Sequence, residues 1–338
     1  MVNEISKRLT RYFDIVIYCT DNKPGTYTHN GISVHAFKGY TSAYNFSPAL
    51  YRSLKKVKCD LIHSHSFPTF MPLAASSVKG DRKIVFNPHF HIHGSTLTYT
   101  LLRKIYEPTI GYYLFKAADL IVCFSDTEKF FIRKRFGLPA NKFRVIYHGA
   151  NLPEIKSAKP YDLREKIILY VGRLEEYKNV QMIIKSLRYL PEHQFYIIGK
   201  GSYEASLKNI VNRSNLRDRV KFLGYLKDED MYRWLKTCTV LVQLSKIESG
   251  FSITCLQALA AGKPVIVNDS IISLGETADL FKEKGVFPLN ENSSAYELAR
   301  LIEDVSSVKV HPDLSEFDWD TTARKFRDLF LEVLNGKA

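Results

Sequence analysis

The chain has 338 residues, 45% hydrophobic and 25% charged, which is enough for about two domains with cores of their own and ordinary for a soluble globular enzyme. Its formal charge of +13 and pI of about 9.3 favour anionic partners (phosphorylated substrates, an acidic membrane surface or nucleic acid) without choosing among them. Five cysteines, Cys19, Cys59, Cys123, Cys238 and Cys255, with no Cys-x-x-Cys pair, read as reduced thiols of a cytoplasmic protein, and the lack of a signal-peptide core or of an apolar run of about 18 residues argues against secretion or a spanning helix.

Residues 1–12 carry Ile5 and Leu9 on one helical face, so an amphipathic helix is expected there, followed at once by a strand. Apolar, β-branched runs at 15–18, 61–63, 84–86, 120–124 and 144–147 then alternate with helical stretches. Three of these strands lead into histidines: His63 and His65, then His89, and finally His148 beside Gly149. His89, His91 and His93 alternate, and residues two apart share one face of an extended segment, which is a metal-ligand pattern. No Cys or acidic ligand accompanies them, so a packed or substrate-facing role is the better reading. Residues 99–116 and 129–136 mix aromatics with Arg and Lys on predicted helices, a composition suited to a helical face on an anionic bilayer or, more plainly, to a core edge with a solvated rim. No zinc spacing, RNA-binding signature, repeat or basic stripe is visible, so no nucleic-acid partner is expected.

A Pro-, Ala- and Lys-rich linker at 153–160 precedes a restart of the strand–helix rhythm at Ile167. Ile167-Ile168-Leu169-Tyr170-Val171 reads as a buried strand and Gly172 as a sharp turn. Asn179 is the expected N-cap of a helix carrying Val180, Ile183, Ile184 and Leu187. Arg173 and Lys178 sit at that helix start, where two cations repel each other and oppose the helix dipole unless a multiply charged anion lies between them. The logic repeats after Val240-Leu241-Val242-Gln243-Leu244: Gly250 turns the chain, Ser252 caps a helix over 253–261, and Gly262 and Pro264 stop it. The alternation as a whole predicts an α/β protein of two doubly wound units, which bind ligands at the carboxyl ends of their strands.

The two turns, Val171-Gly172-Arg173-Leu174-(x)3-Lys178 and Glu248-Ser249-Gly250-Phe251-Ser252-(x)4-Gln257, resemble those of the retaining glycosyltransferases of family 4, over nearly the whole chain. Gly199-Lys200-Gly201, Val220-Lys221-Phe222-Leu223-Gly224, Ser125-(x)2-Glu128, Val145-Ile146-Tyr147-His148-Gly149 and Phe317-Asp318-Trp319 match in order and spacing. The resemblance implies the GT-B fold: an acceptor-binding Rossmann-like domain at 1–155, a nucleotide-sugar domain at 156–318, and a helix at 319–338 crossing back onto the first. It implies donor binding by Gly172, Arg173, Lys178, Gly199, Ser249, Gly250, Phe251, Ser252 and Gln257. Catalytic roles fall to His89, Arg173, Lys178 and Glu248, and His63, His65 and His148 stand on the acceptor side.

Such an enzyme moves a sugar from a nucleoside diphosphate to a sugar or lipid-linked acceptor hydroxyl with retention, without a cofactor or metal, in the cytoplasm or at the inner face of the cell membrane. The chain departs from the family pattern at two carboxylates. Ser249 stands at the place of the first Glu, with Glu248 one residue early, and Gln257 stands at the place of the second. Those departures keep a non-catalytic binding or partner subunit of the same fold in view; a GT-B-shaped epimerase has no support from the Gly-Arg-Leu-(x)3-Lys turn. The family also has a strand and a Gly-rich loop before the first helix, both missing from this sequence. Either the chain is truncated, or the strands at 15–18 and 61–63 close directly on each other across a gap about 4.8 Å wider than normal pairing.

Overall fold

The computed structural model describes residues 1–40, 45–90, 106–245, 252–269 and 285–336. The chain forms two compact units, Met1–Gly149 with Trp319–Ala338, and Ala150–Asp318. Both are α/β units built mainly on parallel strands, as the alternating pattern predicts. All five cysteines are unpaired, and Cys123, Cys238 and Cys255 are buried.

In the first unit, helix α1 (Val2–Leu9) buries Ile5 and Leu9 and leads into strand β1 (Val16–Thr20). A hairpin follows, β2 (Gly25–His29) and β3 (Ile32–Phe37), which the sequence reading did not foresee. Its two-residue turn is Asn30-Gly31, both with positive φ (50° and 77°), the conformation that twists two antiparallel strands correctly. Strand β1 pairs with β3 in a sheet of order β1-β3-β2.

Helix α2 (Pro48–Leu54) follows, then β4 (Leu61–His65), α3 (Phe70–Ser77), β5 (Lys83–Asn87), a π-helical turn at Glu107–Gly111 running into α4 (Tyr112–Ala117), β6 (Leu120–Cys123), α5 (Asp126–Phe136) and β7 (Phe143–Val145). Strands β4 to β7 form a second, wholly parallel sheet in sequence order. The 15–18 and 61–63 strands are not paired with each other here: β1 and β4 are edge strands of separate sheets, β1 beside β3 and β4 beside β5.

Strands β5 and β6 bury side chains on both faces, which is why they read as continuous apolar runs. Ile84, Phe86, Ile121 and Cys123 pack against Phe115, Ile132 and Phe136, while Val85, Leu120 and Val122 pack on α1 and on the last helix, α12 (Trp319–Leu334). That helix buries Trp319, Ala323, Phe326 and Phe330 in the first unit, so the crossing-back expected from the resemblance is present.

The second unit begins with α6 (Leu152–Ser157), a helix inside the stretch read as a linker; Pro153 occupies its first turn, where a missing N–H loses nothing. Then come β8 (Lys166–Val171), α7 (Val180–Ser186), β9 (His193–Ile198), α8 (Glu204–Arg213), β10 (Val220–Gly224), α9 (Asp228–Thr237), β11 (Val240–Gln243), α10 (Ile253–Ala260), β12 (Val265–Asn268), β13 (Val286–Leu289) and α11 (Ala295–Val305). The sheet is entirely parallel, in the order β10-β9-β8-β11-β12-β13. Counting from β8, this is 3-2-1-4-5-6, so the strand order reverses between β8 and β11. In such sheets the carboxyl ends at the reversal form the ligand crevice.

Candidate functional site

At the reversal point of the second unit, β8 ends in Val171 and Gly172 and its neighbour β11 ends in Gln243. The buried Gln243 amide donates to the Val171 carbonyl at 2.6 Å and so fixes the two strand ends to each other. The three turns after β8, β9 and β10 are joined by backbone bonds. Gly172 N donates to Ile198 O, Leu174 N to Lys200 O, and Gly199 N to Gly224 O, at 2.7–3.0 Å. This closeness needs glycine: a Cβ at Gly199 would lie 1.9 Å from the Gly172 oxygen, and one at Gly201 2.2 Å from the Leu174 oxygen. Gly199 also holds φ +133°, which side chains rarely adopt.

The two cations singled out in the sequence meet at one side chain. Arg173 donates from its guanidinium to the Tyr177 hydroxyl at 3.0 Å, and Lys178 Nζ lies 5.2 Å from the centre of the Tyr177 ring. Tyr170 OH donates to the Arg173 carbonyl at 2.8 Å and holds the turn from below. Glu175, the first acidic residue of the turn, is engaged by Ser202, whose hydroxyl donates to it at 2.6 Å. Arg173 accordingly has no carboxylate partner among the described residues. Asn179 departs from expectation: it stands at the start of α7 with φ 55°, its side chain caps no backbone amide, and its amide nitrogen lies 3.5 Å from Met182 Sδ. A left-handed residue turns its side chain away from the first amides, and Asn tolerates that backbone better than most.

Of the second turn, Glu248, Ser249, Gly250 and Phe251 lie outside the described residues. Its flanks are placed. Ser252 caps α10 as expected, accepting from Cys255 N at 3.3 Å. Gly262 ends the helix at φ +78°, while its N–H and that of Lys263 return to Leu259 O and Ala258 O. Gln257 is 8% exposed. Asn268, buried at the end of β12, donates to both Leu244 O and Ser245 O and so anchors the chain leaving β11.

The first unit gathers its histidines at the carboxyl ends of β4, β5 and β7. His63 Nε2 hydrogen-bonds Asn87 Oδ1, and its ring packs on Phe326 and Phe330. Because Asn87 Nδ2 donates to Val122 O, Oδ1 is the acceptor and the proton sits on His63 Nε2. His65 Nδ1 is 3.3 Å from His89 Nε2; the His89 ring lies 5.1 Å from Phe124, which stacks on His148 at 3.9 Å. Burial holds all three placed on the core side uncharged: it pushes His63 down to about 4, His148 down to about 3, and His65 well below the usual imidazole value, with the neighbouring His63 and His89 adding to the last effect. His89 takes φ 51°, an uncommon backbone for a non-glycine residue and a mark of a functional or tightly held position. His91 and His93 lie outside the described residues, as does the first part of the aromatic–basic stretch at 99–116.

Sequence matching decides the family. The profile described as "Glycosyltransferase Family 4" matches residues 1–154, and that described as "Glycosyl transferases group 1" matches residues 152–316. This chain is a glycosyltransferase of the family 4 type. Among curated relatives of this glycosyltransferase, an uncharacterized glycosyltransferase of Methanocaldococcus jannaschii is 22% identical over 99% of the chain and 94% of the relative. The UDP-Gal:alpha-D-GlcNAc-diphosphoundecaprenol alpha-1,3-galactosyltransferase of Escherichia coli is 28% identical over 76% of the chain and 72% of its own length. Other matches are shorter: a second uncharacterized glycosyltransferase of Methanocaldococcus jannaschii, 28% identical, is matched over 54% of its length.

Solved structures agree on the GT-B fold. Sucrose-phosphate synthase of Thermosynechococcus elongatus aligns with a TM-score of 0.79 at 18% identity, covering 99% of this chain and 93% of the other. Anabaena HepE, solved in complex with UDP and glucose, aligns with a TM-score of 0.69 at 17% identity and the same coverages. Sequence reasoning did not single out Tyr177 or the strand-tying role of Gln243. Gln243 had a signal, being a lone polar residue at the end of the buried run 240–244; Tyr177 had none beyond its place in the Arg-to-Lys spacer.

Proposed function

We propose that this glycosyltransferase moves a sugar from a nucleoside diphosphate to an acceptor hydroxyl with retention of anomeric configuration. The observation that supports it is the meeting of Arg173 and Lys178 at Tyr177, beside glycine turns pressed together at the sheet's reversal point. A diphosphate there would be bound by two cations, and the charge that builds on it as the glycosidic bond breaks would be stabilised by groups already in place. No metal is invoked for that task. In this reading the departing diphosphate takes the acceptor proton. Gly172, Gly199, Ser249, Gly250, Phe251 and Ser252 line the donor, Gln257 holds the ribose, and Glu248 and His89 contact the transferred sugar. His65 and His148, with His63 behind them, form the acceptor side.

The Escherichia coli relative is named for a UDP-galactose donor and a diphosphoundecaprenol-linked acceptor, and HepE for UDP and glucose. Those names favour a UDP-sugar donor and a lipid-linked or polysaccharide acceptor here. A lipid-linked acceptor would bring the protein to the inner face of the membrane as a peripheral enzyme. No helix among the described residues is long and apolar enough to cross a bilayer. Tyr112, Tyr113 and Phe130 are exposed, with Lys116 over the Tyr112 ring and Lys134 over Phe130, an arrangement that suits an anionic surface. Flotation with liposomes tests this: equal partitioning with and without anionic lipid removes the membrane contact.

Gln257 favours a second reading, a subunit that binds the nucleotide sugar without transfer, because it puts a neutral amide where the family carries a Glu. Turnover separates the two. UDP-glucose and related nucleotide sugars are screened by thermal shift, in which a ligand at about 100 times its dissociation constant stabilises by about 2.7 kcal/mol. Slow UDP release that Arg173→Ala and Lys178→Ala abolish is the expected result. Binding with no release in the presence of any acceptor overturns transfer in favour of the binding subunit.

A further inference from the structure

A single carboxylate lies beneath the histidine cluster. Glu128 is on the first turn of α5, 4% exposed, its own N–H taken by the Ser125 hydroxyl at 3.0 Å. Oε1 accepts the N–H of Phe90 at 2.7 Å and Oε2 accepts the N–H of Phe124 at 2.8 Å. The first amide directly follows His89 in the turn after β5. The second directly follows β6 and carries the ring that stacks on His148 and lies tilted against His89 at 5.1 Å. No Lys, Arg or His forms an ion pair with Glu128 among the described residues. A buried acid without a counter-cation is a poor choice for stability alone.

We propose that Glu128 is a positioning residue of the transfer site, bridging the turns after β5 and β6 through its two oxygens and so setting where the His89, Phe124 and His148 rings stand. This rests on the reading that His89 contacts the transferred sugar. The bridge needs two acceptors, and an ionised carboxylate supplies them. A protonated carboxyl keeps one good acceptor and turns the other oxygen into a donor, so one buried amide loses its partner. Burial, opposed by the two amide bonds, pushes the Glu128 carboxyl up to about 7, which puts loss of the bridge in the neutral range. The titratable groups around it are the Cys123 thiol on β6, itself pushed up by burial and by this carboxylate, His89 on the turn after β5, and His148 across Phe124. Asp126 and Lys129 share its helix, and Asp126 accepts from the Tyr147 hydroxyl at 3.1 Å.

The test uses the whole chain with isotope-labelled phenylalanine and histidine, followed by NMR from about pH 5 to about pH 9, a range that brackets a carboxyl raised this far. The Phe90 and Phe124 amide resonances are expected to move together with a common midpoint near 7. Glu128→Gln, which keeps the volume and one acceptor, should abolish that shared titration and displace the His89 ring resonances. Glu128→Asp, which keeps the charge, should restore a common titration. The proposal is overturned by separate midpoints for the two amides, by a titration that survives Glu128→Gln, or by His89 resonances unchanged in that variant. Should Glu128→Gln not fold, the wild-type titration still decides. UDP-glucose hydrolysis supplies the functional arm: Glu128→Gln should lower kcat at least tenfold, leave KM for UDP-glucose within twofold, and flatten the acid limb of the pH profile. A wild-type profile in the variant sinks the positioning role. Failure of Arg173→Ala to affect hydrolysis sinks the transferase reading and leaves the amide titration standing.

Discussion

A methyl group at position 199 has no space: its carbon would fall 1.9 Å from the Gly172 oxygen, on a backbone at φ +133°. Relief would require moving the Gly172–Leu174 turn, and with it Arg173. Strain of this kind costs about 1–3 kcal/mol even before the clash. Gly199→Ala is therefore expected to lower stability in urea by about 2 kcal/mol or more and to abolish the thermal shift given by UDP. Unchanged UDP binding in that variant would show that the three-turn junction does not shape the donor site. Gln257 makes a subtler case, because it is buried and neutral where a carboxylate would make a charge-assisted bond to a ribose hydroxyl. Gln257→Glu should tighten donor binding by about 1 kcal/mol, roughly fivefold, while lowering the melting temperature of the unliganded protein. Equal or weaker binding, measured by calorimetry, would remove the ribose contact.

At the scale of elements, strands with continuous apolar runs were legible because both faces of their sheets are covered; β5, β6, β8 and β11 fall within a residue or two of expectation. The β2–β3 hairpin went unread although Asn30-Gly31 announces it, since β2 is exposed along its whole length and shows no apolar alternation. Asn179 was read as a side-chain cap because propensity describes the residue and not its φ. The histidine cluster was legible as residues at strand ends, yet its electrostatics came only with burial. Burial pushes folded His148 down to about 3 from an ordinary 6.5, and among the described residues its buried Nδ1 has no partner. On acidification the unfolded chain therefore takes up this proton first, so the contribution of neutral His148 is complete above about pH 6.5 and is lost as pH falls toward 3. By about pH 5 that loss reaches about 2 kcal/mol. Glu128 has the opposite sign, raised to about 7, so the folded state gains relative stability from it as pH falls through 7 toward 4.5. His148→Phe keeps the stack on Phe124 and removes the proton site. Its loss of stability between about pH 7.5 and pH 5 should be smaller than wild type by about 2 kcal/mol, read from urea curves at each pH. Parallel losses would mean that His148 is solvated in the folded protein.

At the scale of the molecule, the return of α12 to the first unit determines what can fold alone. Gly149, where the chain leaves that unit, and Trp319, where it comes back, are in contact: a Cβ on Gly149 would lie 2.6 Å from the indole. Thr322 donates to the Tyr147 carbonyl at 3.1 Å, Arg8 pairs with Asp320 and Arg144 with Glu332, so the helix is held along its length by α1 and by residues in and just after β7. These exposed and half-exposed pairs contribute little each. The apolar face decides: Trp319, Ala323, Phe326, Leu329, Phe330 and Val333 are all buried, and at about 1.5–3 kcal/mol for each large side chain they supply roughly 10 kcal/mol. That equals the whole net stability of a typical domain, about 5–15 kcal/mol. A chain ending at Asp318 would also uncover Ile5, Leu9, Val85, Leu120 and Val122, which the helix now covers. The second unit draws its core from β8 to β13, α7, α8 and α11 and, among the described residues, uses nothing from α12. Residues 150–318 alone are therefore expected to unfold cooperatively and to keep the UDP-induced thermal shift. The chain cut after Asp318 should show proteolysis confined to residues 1–149 and a single urea transition belonging to the second unit. Protection of residues 1–149 equal to that in the full chain would mean that the first unit's own strands and helices suffice, and that α12 serves some purpose other than completing its core.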